Sequence, residues 1–227
     1  MEKNVEEFLR LVSKFKQHGY LLYLVGGTVR DYLLGLKLTD MDCVTDATPE
    51  EMKLFLPGAD YTFAKMGSIR FKSEDIKFDI TTLREETGYK DSRHPTEVKF
   101  VKDLKIDVKR RDFTVNAMYM DENFKVIDYV NGEKDIKKKV LRMVGDPNKR
   151  IKEDPLRIVR AVRFALQLNF EIDPHLEKAM IKNQDLLKLL RKEKIIQDLN
   201  KLVCNDEARK LELFNKFGIA KVINVIE

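Results

Sequence analysis

Asp40 and Asp42 stand one residue apart, and Asp40 lies thirteen positions after the second glycine of Leu24-Val25-Gly26-Gly27. In a β-strand, residues i and i+2 point to the same face. The spacing therefore predicts two carboxylates projecting together, with Met41 and Cys43 turned toward a core. Paired carboxylate oxygens suit a hard cation, and Mg²⁺ characteristically combines one or two carboxylates with substrate phosphates. A double glycine after a buried, strand-like run lets backbone N–H groups approach phosphate oxygens. Metal beside phosphate is the chemistry of nucleotidyl transfer. Each feature also has a plainer reading. Gly26-Gly27 would serve as an ordinary strand-to-helix turn, and Asp40, following Thr39, as a cap.

Further residues invite chemistry without settling it. Arg30 lies one helical turn beyond the glycines and Asp31 stands ready to hold it; Arg30 alone is equally a surface charge. Asp79, flanked by Phe78 and Ile80, is either a third carboxylate or a surface strand residue. Arg110-Arg111-Asp112 reads as a charged helix end. In Glu153-Asp154-Pro155-Leu156-Arg157, Asp154 is a natural N-cap and Pro155 a natural first helical residue. Arg160 and Arg163 continue from Arg157 at three-residue steps, the pattern of a solvated helix face. Cys43 and Cys204 are far apart, and His18, His94 and His175 are scattered, so neither a disulfide framework nor a zinc cluster is expected.

The elements that must carry these residues follow from hydrophobic period. The start, to Phe15, reads as an amphipathic helix with Val5, Phe8, Leu9, Val12 and Phe15 on one stripe. Strands are expected at 20–25, 40–44, 60–64, 68–72, 76–83 and 97–101, with helices at 28–35, 49–55 and from 103–109. A strand pair at 116–120 and 124–129 precedes a helix at 132–137, and the polar stretch from Arg84 to Pro95 reads as a loop. After about residue 139 only helical periodicity remains. The period switch predicts an α+β domain over 1–138 and an all-helical one over 139–227. The 227 residues suffice for a sizeable core. Residues 1–138 carry net charge −1 and residues 139–227 carry +6, a bias compatible with a polyanion such as RNA. The N-terminus lacks a signal peptide's apolar centre and no run approaches a membrane span, so the chain reads most simply as cytoplasmic.

Four motifs recur in order: Leu24-Val25-Gly26-Gly27-Thr28-Val29-Arg30-Asp31, then Asp40-Met41-Asp42, then Arg110-Arg111-Asp112-Phe113-Thr114-Val115-Asn116-Ala117, then Glu153-Asp154-Pro155-Leu156-Arg157. Over about residues 20–175 the chain resembles the class II tRNA nucleotidyltransferases (CCA-adding enzymes) and the related bacterial poly(A) polymerases, of the polymerase-β-like nucleotidyltransferase superfamily. The resemblance implies a polymerase-β-like head with a mixed sheet and flanking helices, followed by a helical neck that selects the nucleotide. Family members generally continue into further helical body and tail regions that grip tRNA.

The resemblance also implies roles. Asp40 and Asp42, with Asp79 as a third carboxylate, hold two Mg²⁺ ions, one serving the primer 3′-hydroxyl and one the leaving pyrophosphate. Gly26, Gly27, Arg30, Arg160 and Arg163 contact the triphosphate. Asp112 recognises the ribose, with Arg111 and Asn116 nearby. Asp154 and Arg157 act as a protein template. Aspartate accepts from the amino group of cytosine or adenine, arginine donates to the ring nitrogen, and uracil and guanine mismatch both. The segment containing Arg84, Tyr89 and Arg93 corresponds to a flexible loop that family members adding the final A retain. The expected substrates are CTP and ATP, and the expected partner is the tRNA 3′ end and acceptor stem. An A-adding enzyme or poly(A) polymerase, and a catalytically silent nucleotide- or RNA-binding module, are the alternatives.

Overall fold

Residues 3–38, 41–89 and 95–223 are described by the computed structural model. They divide into two compact units, residues 1–87 with 97–133, and residues 88–96 with 134–227.

The first unit is built on a mixed sheet. Helix α1 (Lys3–Gln17) buries Phe8, Leu11, Val12 and Phe15. Leu11 takes the place expected for Leu9, which stays half-exposed. Strand β1 (Leu22–Val25) leads through Gly26 into α2 (Gly27–Leu33), and β2 (Met41–Thr45) pairs antiparallel with β1. Helix α3 (Pro49–Phe55) is closed by a full capping box between Thr48 and Glu51. Strands β3 (Ser68–Ser73) and β4 (Ile76–Thr82) form a hairpin, and β4 lies parallel to β2. Among the described residues the sheet order is β3-β4-β2-β1-β7-β8, with β7 (Tyr119–Met120) and β8 (Val126–Ile127) on the far side. Met41, Cys43, Phe78 and Ile80 are buried, whereas Asp42 and Asp79 between them are exposed. The alternation expected of β2 is realised in Met41, Asp42 and Cys43; Asp40 lies outside the described residues.

Three local expectations are corrected. Residues 60–64 make no strand, because Asp60 Oδ1 accepts from both the backbone N–H and the hydroxyl of Thr62 and turns the chain. Only Asp60 pairs, with Arg70. The polar stretch from Arg84 is not a plain loop: β5 (Arg84–Tyr89) and β6 (Pro95–Phe100) form a two-stranded ribbon. Arg84 and Glu86 satisfy each other there by a 2.8 Å hydrogen bond, so no apolar alternation marks the strand. The strand expected at 116–120 shrinks to β7, because Asn116 closes a 3-10 turn over Thr114–Asn116. Helix α4 (Leu104–Asp107) runs into another 3-10 turn, Val108–Arg110.

In the second unit, α5 (Gly132–Lys138) carries the chain across the division. Two very short strands, β9 (Val140–Leu141) and β10 (Glu171–Ile172), pair in parallel, so the region after residue 139 is not purely helical. Two-residue strands are too short to display a period. Helix α6 (Pro147–Glu153) is capped by Asp146 and α8 (Pro174–Asn183) by Asp173, each with proline at the first helical position. Between them α7 (Leu156–Leu168) is buried on most of its circumference. It packs on α9 (Lys192–Leu199) and α10 (Glu207–Lys216), and α11 (Ile219–Ile223) follows. No helix among the described residues is long and apolar enough to cross a membrane.

Candidate active site

The turn between β1 and α2 needs glycine. Gly26 has φ 67° and ψ −129°, a region that side-chain-bearing residues essentially avoid. This conformation brings the turn against β2. A Cβ placed on Gly26 would lie 3.7 Å from Asp42 Oδ2 and 3.9 Å from Arg111 Nη1. One placed on Gly27 would lie 3.6 Å from Asp42 Oδ2 and 3.5 Å from Arg30 Nη2. One carboxylate and two guanidiniums thus converge on a bare stretch of backbone. The missing side chains leave a cradle there. Thr28 ties the turn to β2 by accepting the Asp42 backbone N–H at 2.8 Å.

Arg30 is buried and held from two sides. Its Nε and Nη2 reach Asp31 Oδ1 at 2.8 and 2.7 Å, and its Nη1 donates to Asn116 Oδ1 at 2.6 Å. Asp31 thus has the holding role expected of it, and Asn116 orients Arg30. Asp112 is half-exposed and accepts from the Phe113 N–H at 2.7 Å.

Behind Arg111 lies a group that sequence reasoning passed over. Asp107 is fully buried. Its Oδ1 accepts from Arg110 Nε at 2.8 Å and from the Arg84 backbone N–H at 3.1 Å. Its Oδ2 accepts from Arg111 Nε at 3.0 Å and from the Tyr119 hydroxyl at 2.8 Å. Burial alone would raise the Asp107 pKa; the Arg111 and Arg110 charges overcome it and hold the carboxyl far below the usual carboxylate range. Burial, reinforced by Asp107, pushes the Tyr119 hydroxyl well up, so it stays a neutral donor. The available signal was spacing: Asp107 stands three and four residues before Arg110 and Arg111, within reach on one helical turn.

Asp42 and Asp79 are Cα partners on parallel strands and share the exposed face. Burial, with the charges of these two aspartates added, pushes the Cys43 thiol on the opposite, buried face well up and leaves it inert. Asp79 Oδ1 also accepts from Arg70 Nε at 3.2 Å. Among the described residues no three acidic, histidine or cysteine side chains gather into a metal cage. Two carboxylates beside a side-chain-free turn nonetheless fit Mg²⁺, which needs few protein oxygens and takes the rest from substrate and water.

The second unit carries the other group. Asp154 caps the turn that opens α7, as expected: its backbone is extended (φ −149°, ψ 97°), Pro155 after it is already helical, and its Oδ1 accepts the Leu156 N–H at 3.0 Å. Arg157 is buried, with Nη1 donating to the Arg150 carbonyl at 2.6 Å and lying 3.3 Å from Glu153 Oε2. Arg163 is not on a solvated face. It is buried, bonds Asp198 Oδ1 of α9 at 2.7 Å and lies 4.1 Å from the Phe164 ring centroid. Arg160 is partly exposed and 3.8 Å from the other Asp198 oxygen. Among the loop residues, Arg84 opens β5 and Tyr89 ends it, and Arg93 lies outside the described residues.

Residues 22–142 match the family described as poly A polymerase head domain. The chain belongs to that family. Residues 169–224 match a second description, "Probable RNA and SrmB- binding site of polymerase A". A CCA-adding enzyme of Bacillus licheniformis is 40% identical over 222 residues, covering 97% of this chain and 56% of the relative. The crystal structure of the Bacillus stearothermophilus CCA-adding enzyme in complex with CTP superposes with a TM-score of 0.89 at 36% identity, over 98% of this chain and 54% of that one. A tRNA nucleotidyltransferase complexed with a primer tRNA and an incoming ATP analog gives 0.77 at 32% identity, over 94% and 62%. The chain spans about half the length of the curated relatives it matches.

Proposed function

We propose that this chain carries the catalytic head and nucleotide-selecting neck of an enzyme that adds C, C and A to the 3′ end of tRNA. The substrates are CTP and ATP; the terminal 3′-hydroxyl attacks the α-phosphate and pyrophosphate leaves. The observation that carries the reading is the convergence of Asp42, Arg30 and Arg111 on the side-chain-free Gly26-Gly27 turn. The CCA-adding relatives, one solved with CTP, support the choice of substrates.

Asp40, Asp42 and Asp79 would hold Mg²⁺, which when bound supplies Lewis-acid stabilisation of the phosphoryl oxygens and a more acidic 3′-hydroxyl. The turn's N–H groups and Arg30 take the triphosphate, positioned against Asp42 by the cradle. Arg111, fixed by Asp107, adds positive charge where the transferred phosphoryl group develops negative charge. Asp112 accepts from the ribose hydroxyls and selects NTP over dNTP. Asp154 and Arg157 read the base. Arg160 serves the triphosphate, and Arg163 acts from the interior, holding the Asp198 that also faces Arg160.

Primer extension with Mg²⁺ decides the reading. The test uses tRNA ending at the discriminator, at C and at CC, with each NTP singly and with CTP plus ATP. C, C and A in order, followed by a stop, is the expected outcome. ATP incorporation only on the CC end would make the protein an A-adder, and unlimited A tails a poly(A) polymerase.

A further inference from the structure

The exposed face that carries the carboxylates continues into a cationic ledge. Asp42, Asp79 and Arg70 are Cα partners in series across β2, β4 and β3. Two residues further along the same face, roughly 7 Å, Lys77 stands directly opposite Lys72. Both lysines are exposed. Like charges directly opposed in a ladder destabilise it. Neither lysine side chain has a hydrogen bond or ion pair among the described residues. A cavity of about 500 Å³ opens at this place, lined by Asp60, Arg70, Lys72, Lys77 and Asp79 among others. Beside it Arg70 lies 5.4 Å from the ring centroid of Phe63, itself half-exposed. Basic groups tracking a groove, with an exposed aromatic at its side, are the parts of a single-stranded nucleic acid site.

We propose that Arg70, Lys72 and Lys77 bind the phosphodiester backbone of the single-stranded RNA end being extended. This rests on the nucleotidyl transfer reading for its direction. A 3′-hydroxyl delivered to Asp42 and Asp79 needs its own chain laid away from the triphosphate cradle, and the ledge is the cationic surface that continues from those carboxylates. The uncompensated Lys72–Lys77 pair is then explained by the polyanion it receives.

The test is binding of a short single-stranded RNA ending in CC to the full chain, read by fluorescence anisotropy at salt concentrations from roughly 50 to roughly 200 mM. Lys72→Ala with Lys77→Ala should make the log–log salt slope shallower by about 1.4, at about 0.7 for each single-strand phosphate that the protein no longer neutralises. The KM for RNA should rise while the KM for nucleotide stays unchanged. Lys72→Arg with Lys77→Arg should keep the original slope. Because the alanine pair removes a repulsion, its melting temperature should not fall, which separates weakened binding from a damaged fold. An unchanged slope in the alanine pair overturns the proposal. So does a loss of equal size for polyglutamate binding, which would assign the ledge to an acidic protein partner. If the parent chain binds RNA but transfers no nucleotide, the proposed function fails while the slope difference still decides the ledge.

Discussion

Asp107 acts wholly through its protein neighbours, because it is fully buried. It ties Arg110, Arg111, Tyr119 and the first residue of β5 into one buried knot, and Arg111 from that knot reaches the Gly26 turn. Removing one partner of a buried ion pair typically costs ~3–5 kcal/mol. Asp107→Asn should lower stability by about that amount in denaturant unfolding at neutral pH. The pH dependence has a definite sign. Because the folded carboxyl lies below its usual value, its contribution is complete above about pH 4 and is lost as pH falls below that. The parent chain should therefore weaken below about pH 4, and the asparagine variant should show a flatter dependence there. Equal acid slopes would exclude Asp107 from this role. Asp154 makes a different prediction, because the proposed function gives its carboxylate the selection of the base. Asp154→Ala should raise misincorporation of UTP and GTP by roughly 5- to 150-fold, as expected for losing a term of ~1–3 kcal/mol. Retention of strict C and A selection would refute the template role.

The β1–α2 junction shows how an element places the residues. Gly26 and Gly27 are adjacent and chemically identical, yet their substitutions should differ. Gly26→Ala forces a side chain into a positive-φ conformation, at a cost of ~1–3 kcal/mol. Gly27 has ordinary helical geometry, so Gly27→Ala should fold normally. Its Cβ would occupy the cradle 3.6 Å from Asp42 Oδ2, and triphosphate binding should drop. Thermal melts beside nucleotide titrations distinguish the two, and parallel losses of stability in both would contradict the geometry. This junction was legible in the sequence because strand, double glycine and helix each leave a strong local signal. Strand β6 was legible too, as the strand expected at 97–101, but β5 was not, since its residues are mostly polar and Arg84 and Glu86 bond each other. Arg163 was misplaced for a related reason. Arginines at three-residue steps look solvated, and only the tertiary partner Asp198, thirty-five residues away, buries one of them.

At the scale of the molecule, the proposed function divides the labour between two units. Under it the first would supply carboxylates, cradle and ledge, and the second the helix start with Asp154 and Arg157. The period switch was read near residue 139, whereas the division of the structure falls after residue 133 and places 88–96 in the second unit; the two strands beyond it left no period because they are only two residues long. The basic excess of residues 139–227 suits RNA, and residues 169–224 are the ones that match a family described by RNA binding. Mg²⁺-dependent pyrophosphate release tests the face carrying Asp42 most directly. With CTP and a tRNA lacking its 3′ CCA, the parent chain should release pyrophosphate in proportion to C incorporated. Asp42→Ala, still folded and still binding CTP, should release none above background. Release undiminished by Asp42→Ala would contradict the assignment of this face as the catalytic centre.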